Sequence, residues 1–116
     1  MSAQGNDLTF RLGEPFGPEV LTLKNPDGTP TDLSGVTLTL VVREIDGTAD
    51  LLTATLATIE PPTAGKTALT VPATGAQSVE NLAAYAEKVL RYKVRDGGGN
   101  QVKAGWIYVA PAWGSV

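Results

Sequence analysis

From Leu8 to Ala110 the chain divides into seven short β-type stretches separated by Asp-Gly, Gly-rich and Pro-rich turns. A period of two sends successive side chains to opposite faces of a strand, so each stretch can bury one face and wet the other. The clearest runs from Val36 to Arg43: Val36, Leu38, Leu40 and Val42 share one face, Thr37, Thr39 and Arg43 the other. Leu8, Phe10 and Leu12 alternate with Thr9 and Arg11, and Leu21 and Leu23 with Thr22 and Lys24. Further stretches near 51–58, 66–71, 88–95 and 102–110 are rich in β-branched and aromatic residues. Seven strands at this spacing predict an all-β sandwich with the third strand central.

The connections carry turn chemistry. Asn25-Pro26-Asp27-Gly28 pairs a proline that fixes one φ with a glycine that accepts positive φ, and Asp46-Gly47 repeats the signal after the third strand. Asp96-Gly97-Gly98-Gly99-Asn100 predicts an antiparallel hairpin between the last two strands. The stretch from Gly75 to Tyr85 is rich in helix formers and too long for a tight turn, so one or two helical turns are expected to cross the end of the sandwich.

At 116 residues the chain is expected to be a single domain, 1–116, able to bury about two thirds of its unfolded surface. Residues 1–6 and 113–116 fall outside the predicted strands and are expected to be mobile or ordered by a partner. The start of the chain has no basic, apolar leader and no 18-residue apolar run occurs, which predicts a soluble product with no membrane span. A net charge of −3 argues against nucleic acid as a partner for the whole surface.

The chain contains neither His nor Cys. That removes the triads built on them, thiolate metal sites and disulfides, so no catalytic residue, cofactor or metal ligand is expected. Gly97-Gly98-Gly99 lacks a following helix and a Lys-Ser/Thr pair, which makes it a hairpin and not a phosphate loop. Asp27, Asp32, Asp46, Asp50 and Asp96 do not follow the spacing of a calcium loop and suit turns and caps instead.

One cluster stands out. Arg91, Lys93 and Arg95 alternate with Leu90, Tyr92 and Val94, giving a basic stripe that faces water, with Lys88 just before it. On the neighbouring strand Trp106 and Tyr108 could share that face and form an aromatic and cationic platform. Parity conflicts with this, because an unbroken strand that turns Ile107 and Val109 inward also turns Lys103 inward. A bulge at Gly105 would resolve it; burial of Trp106 and Tyr108 is the alternative. The stripe could also be no more than charged protection against edge-to-edge pairing. Past Pro111, Trp113 either folds back on the domain or buries itself in another chain, and the last strand, as an end strand, offers unpaired backbone groups to a partner. The candidate interface is therefore Arg91, Lys93, Arg95, Trp106, Tyr108 and Trp113.

The run Leu23-Lys24-Asn25-Pro26-Asp27-Gly28-Thr29-Pro30-Thr31-Asp32-Leu33-Ser34-Gly35, continuing into Val36–Arg43, resembles a small β-sandwich of tailed-phage virion proteins, including the N-terminal domain of baseplate upper proteins. Tyr92 to Asn100 and Gly105 to Val109 look like the closing hairpin of the same domains, so the resemblance covers most of the chain. It departs between Ala76 and Lys88, which is longer and richer in Ala, and a stand-alone domain is expected, without the fibre or receptor-binding domain that the resemblance would place after it. The resemblance implies an immunoglobulin-like β-sandwich of about seven antiparallel strands. It further implies a structural or docking component of a bacteriophage particle, in the tail, baseplate or a fibre adaptor, made in the host cytoplasm and located in the virion. Its partners would be other phage structural proteins and copies of itself, with a host-surface glycan as a further ligand. A capsid decoration protein, a carbohydrate-binding module stacking sugars on Trp106, Tyr108 and Trp113, and a domain of a bacterial surface or secreted protein are the alternatives.

Overall fold

Alternation in the sequence becomes two packed layers in space. The structure, a computed structural model, describes residues 7–112. Its strands are β1 Leu8–Arg11, β2 Phe16–Thr22, β3 Leu38–Arg43, β4 Leu52–Thr58, β5 Lys66–Val71, β6 Val89–Arg95 and β7 Gln101–Ala110. They hydrogen-bond in the order β1-β7-β6-β3-β4-β5-β2. The ladder folds over at β4, which pairs with β3 through Leu56 and with β5 from Ala57. One layer is thus β1-β7-β6-β3-β4 and the other β2-β5, with β3, β6 and β7 facing β2 and β5 across the core, which is the arrangement of an immunoglobulin-like β-sandwich.

Inward positions of the two layers meet in one core. Leu38, Leu40 and Val42 of β3 lie with Leu90, Tyr92 and Val94 of β6, Ile107 and Val109 of β7, and Leu21, Leu69 and Val71 of the opposite layer, all buried. Leu40 is 0% exposed and stands between Ala54 and Val94 in the register. Phe10 of β1 and Phe16 of β2 stack with centroids 4.3 Å apart and close one side.

A 3₁₀ helix over Val79–Tyr85 crosses one end, in the stretch where the sequence predicts helical turns. It buries Val79 and Leu82 and is tied down by Val79 N–H on Pro72 O at 2.9 Å and by the Asn81 amide on Leu51 O at 3.3 Å. A shorter one, Pro62–Ala64, ends at Gly65, whose φ of +70° favours glycine. There a Cβ would come within 2.5 Å of Leu23 O, because the β4–β5 link passes directly against the exit of β2.

Four expectations need correction. β1 pairs parallel with β7, Leu8 opposite Ile107 through Arg11 opposite Ala110, so the strands are not all antiparallel. The first and last strands come from opposite ends of the chain, and no local spacing says which way they meet. β2 begins at Phe16, well before Leu21, because a bulge between Phe16 and Glu19 around Gly17, φ +88°, hides the alternation there. β3 begins at Leu38, since Val36 donates its N–H to Leu33 O inside the Asp32–Gly35 turn. Finally, β7 is not an end strand along its whole length, because β1 covers Ile107 to Ala110; among the described residues only the stretch from Gln101 to Trp106 lacks a second strand.

Candidate functional site

The outward face of the five-stranded layer is where the candidate residues gather. Register places Tyr108 opposite Val89, Trp106 opposite Arg91 and Ala104 opposite Lys93. On the other side of β6, Arg91 faces Arg43, Lys93 faces Val41 and Arg95 faces Thr39. Arg91, Lys93, Arg95, Trp106 and Tyr108 therefore share one surface. Trp113 lies outside the described residues.

Trp106 and Tyr108 are exposed, at 45% and 40%. No bulge falls between Lys103 and Ile107, so the parity conflict ends with Lys103 turned inward; the β6–β7 register slips only between Val94 and Arg95, whose partners are Lys103 and Gln101, leaving Val102 as the extra residue. From Lys103 to Ala110 the strand is regular. Lys103 accordingly sits on the inward parity opposite Val94, half-buried at the end of the layer, and loss of solvation lowers its pKa below that of an ordinary lysine.

The three cations of β6 have different duties. The Arg91 guanidinium is committed to the β3–β4 turn, with Nε donating to Glu44 O at 3.0 Å and Nη2 to Gly47 O at 2.7 Å. Arg43, beside it, pairs with Asp50 at 2.6 Å. The side chains of Lys93 and Arg95 have no hydrogen bond or ion pair among the described residues, and neither has the Trp106 indole N–H. Ala104 is small and Gly105 has no side chain, so a groove of about 290 Å³ opens between Trp106, Arg91, Lys93 and Gln101.

Two apolar residues extend this surface, and reading for charged and aromatic groups alone passes over both. Val89, 45% exposed, falls on the same parity as Arg91, Lys93 and Arg95, where an apolar residue on a wet face is the signal. Ile45, 50% exposed, stands on the β3–β4 turn between Glu44 and Asp46. The turn is held from one side by Arg91 and from the other by Tyr85, whose phenol pKa is raised first by its hydrogen bond with the Glu44 carboxylate, then by desolvation and the Glu44 charge. In contrast Val41, also on the outward parity, is buried between Lys93 and Thr53.

Three of the five loop aspartates, Asp27, Asp32 and Asp96, hold turns as expected, whereas Asp50 is committed to the Arg43 ion pair instead. Asp27 Oδ1 accepts from Thr29 N at 2.9 Å and Thr29 Oγ1 at 2.6 Å, and Asp32 Oδ1 accepts from Ser34 N at 2.9 Å and Ser34 Oγ at 2.7 Å. Asp96 Oδ1 takes the N–H groups of Gly98 and Asn100 across the β6–β7 hairpin. These bonds favour the carboxylate and hold all three pKa values below the ordinary aspartate value. Among the described residues no three acidic side chains converge as metal ligands would, and no helix is long and apolar enough to cross a membrane.

No family model matches the chain, and no curated protein matches it. Among solved structures it is similar to a chain in the crystal structure of ICOS in complex with ICOS-L and an anti ICOS-L VNAR domain, with 10% sequence identity and a TM-score of 0.42. The likeness covers 93% of this chain and 55% of that one, so this chain spans about half the length of the structure it matches.

Proposed function

We propose that this chain is a structural or docking component of a tailed-phage particle, in the tail, baseplate or a fibre adaptor, and performs no catalysis. The observation that carries a docking role is the outer face of β6 and β7. Trp106 and Tyr108 stand exposed beside Lys93 and Arg95, whose side chains have no partner among the described residues, on a sandwich whose inward face is fully packed. Exposed aromatics with uncompensated cations are what protein interfaces use as anchors and rims. The phage particle as the setting comes from the resemblance of Leu23–Arg43 and of the β6–β7 hairpin to virion sandwich domains.

The test is mass spectrometry of tailed particles purified from the strain that encodes the chain. A fixed stoichiometry relative to the tail proteins, lost when the gene is deleted, is the expected result. A chain abundant in cells and missing from particles overturns the reading. One observation favours a second reading, a carbohydrate-binding module: the Trp106 ring borders the 290 Å³ groove, as a sugar-stacking ring would. Saturable binding to a glycan array, abolished by Trp106→Ala, would bring that reading forward.

A further inference from the structure

The outer face carries two unlike features side by side. One is the groove between Trp106, Lys93 and Gln101, floored by Ala104 and Gly105, with the cations Lys93 and Arg95 beside it. The other is the β3–β4 turn, where the exposed Ile45 stands between Glu44, whose carboxylate bonds the Tyr85 phenol, and Asp46, with Lys88 lining the hollow beside them. Arg91 joins them, since its side chain lines the groove while its guanidinium grips the turn through Glu44 O and Gly47 O. An acidic knob with an apolar tip and a basic groove with an aromatic wall are thus held in fixed relation on one surface.

We propose that two copies of this chain pair face to face through this surface, each placing Ile45 in the groove of the other. A two-fold axis lying in the contact plane, between knob and groove, brings the knob of each copy onto the groove of its partner and does so twice, which is the definition of a self-complementary interface. The charges agree: Glu44 and Asp46 of one copy meet Lys93 and Arg95 of the other. The apolar areas agree too. Ile45, Val89, Trp106 and Tyr108 are four of the six large hydrophobic side chains that stand exposed among the described residues, and the pairing covers all four. A second copy is favoured over an unrelated anionic partner because the chain supplies a complementary turn itself, held to the groove by Arg91. The proposal rests on the docking reading of this face, and it gives that face a definite occupant.

Charge-swap pairing tests it. The groove variant Lys93→Glu with Arg95→Glu and the knob variant Glu44→Lys with Asp46→Lys are each studied alone, as an equimolar mixture, and with all four changes in one chain, by analytical ultracentrifugation at low and high salt. The wild type is expected to dimerise and each double variant to weaken dimerisation by about 30-fold or more, in line with losing central charge pairs. The mixture and the four-fold variant are expected to recover it, because every knob again meets a groove of opposite sign. Melting temperature guards against a folding defect: since Glu44 also bonds Tyr85, Asp46→Lys alone is the second knob variant. A wild type that stays monomeric at every concentration overturns the proposal, as does a dimer indifferent to both variants or a mixture that fails to recover. A wild-type monomer whose groove binds an acidic peptide also overturns it and assigns the face to another protein. Failure of the particle reading looks different, as a chain missing from particles while the swap pattern holds.

Discussion

Strands β6 and β7 carry two faces that differ by one residue of register and by everything else. Inward, Leu90, Tyr92, Val94, Ile107 and Val109 are buried against the opposite layer. Outward, Arg91, Lys93, Arg95, Trp106 and Tyr108 carry the same backbone into solvent, where only Arg91 among the three cations has protein partners among the described residues. The inward set is closed and can only hold the fold. The outward set packs against no other layer and is the face the proposed docking role uses. Stability and recognition are therefore separable by parity, and substitutions one residue apart should report on different properties.

The comparison breaks most visibly if the inward face can be truncated cheaply. Leu40→Ala removes a fully buried side chain between Ala54 and Val94 and is expected to cost about 2–5 kcal/mol in denaturant unfolding. A loss below about 0.5 kcal/mol would mean that β3 does not sit in the core, since only surface positions behave that way.

Gly65→Ala comes next. Its Cβ would meet Leu23 O at 2.5 Å in a backbone conformation that favours glycine, so a cost of about 1–3 kcal/mol is expected without any change in the outer face.

Tyr92 sharpens the comparison by pH. Burial first, and the Asp7 charge second, push its phenol up to about 12. A raised pKa means that the neutral form is favoured in the fold, so this contribution is fully present below about pH 10, the unfolded value, and is lost as pH rises toward 12. Thermal melting should fall across that window, and Tyr92→Phe should flatten the fall.

The smallest effect is expected from the outward face itself. Trp106→Ala should change stability by less than about 0.5 kcal/mol, as at surface sites without special contacts, while reducing association. A large loss of stability with association intact would show that Trp106 belongs to the fold and would erase the distinction between the faces.

Much of this was legible in the sequence. Alternation together with β-branched and aromatic content located the seven strands to within a few residues except β2, and parity placed Leu38, Leu40 and Val42 inside and Arg91, Lys93 and Arg95 outside. The turn duty of Asp27, Asp32 and Asp96 was legible too, because their side-chain bonds reach only two to four residues along the chain. Such contacts are local, and local contacts are written in local sequence.

What tertiary structure alone decided was how distant segments meet. The parallel closure of β1 on β7 joins the two ends of the described chain. The bulge falls at Val102 and not at Gly105, because the slip belongs to the pairing with Arg95 across the hairpin and not to glycine's freedom. Arg91, Lys93 and Arg95 look equivalent as a sequence, yet only Arg91 lies opposite Arg43, at the end of β3 where Glu44 O and Gly47 O come within reach. Ile45 reads as an ordinary turn residue until folding sets its turn beside a groove built from β6 and β7. Alternation encodes which face a side chain takes; which partner it finds there depends on chain segments too far apart in sequence for any local pattern to record.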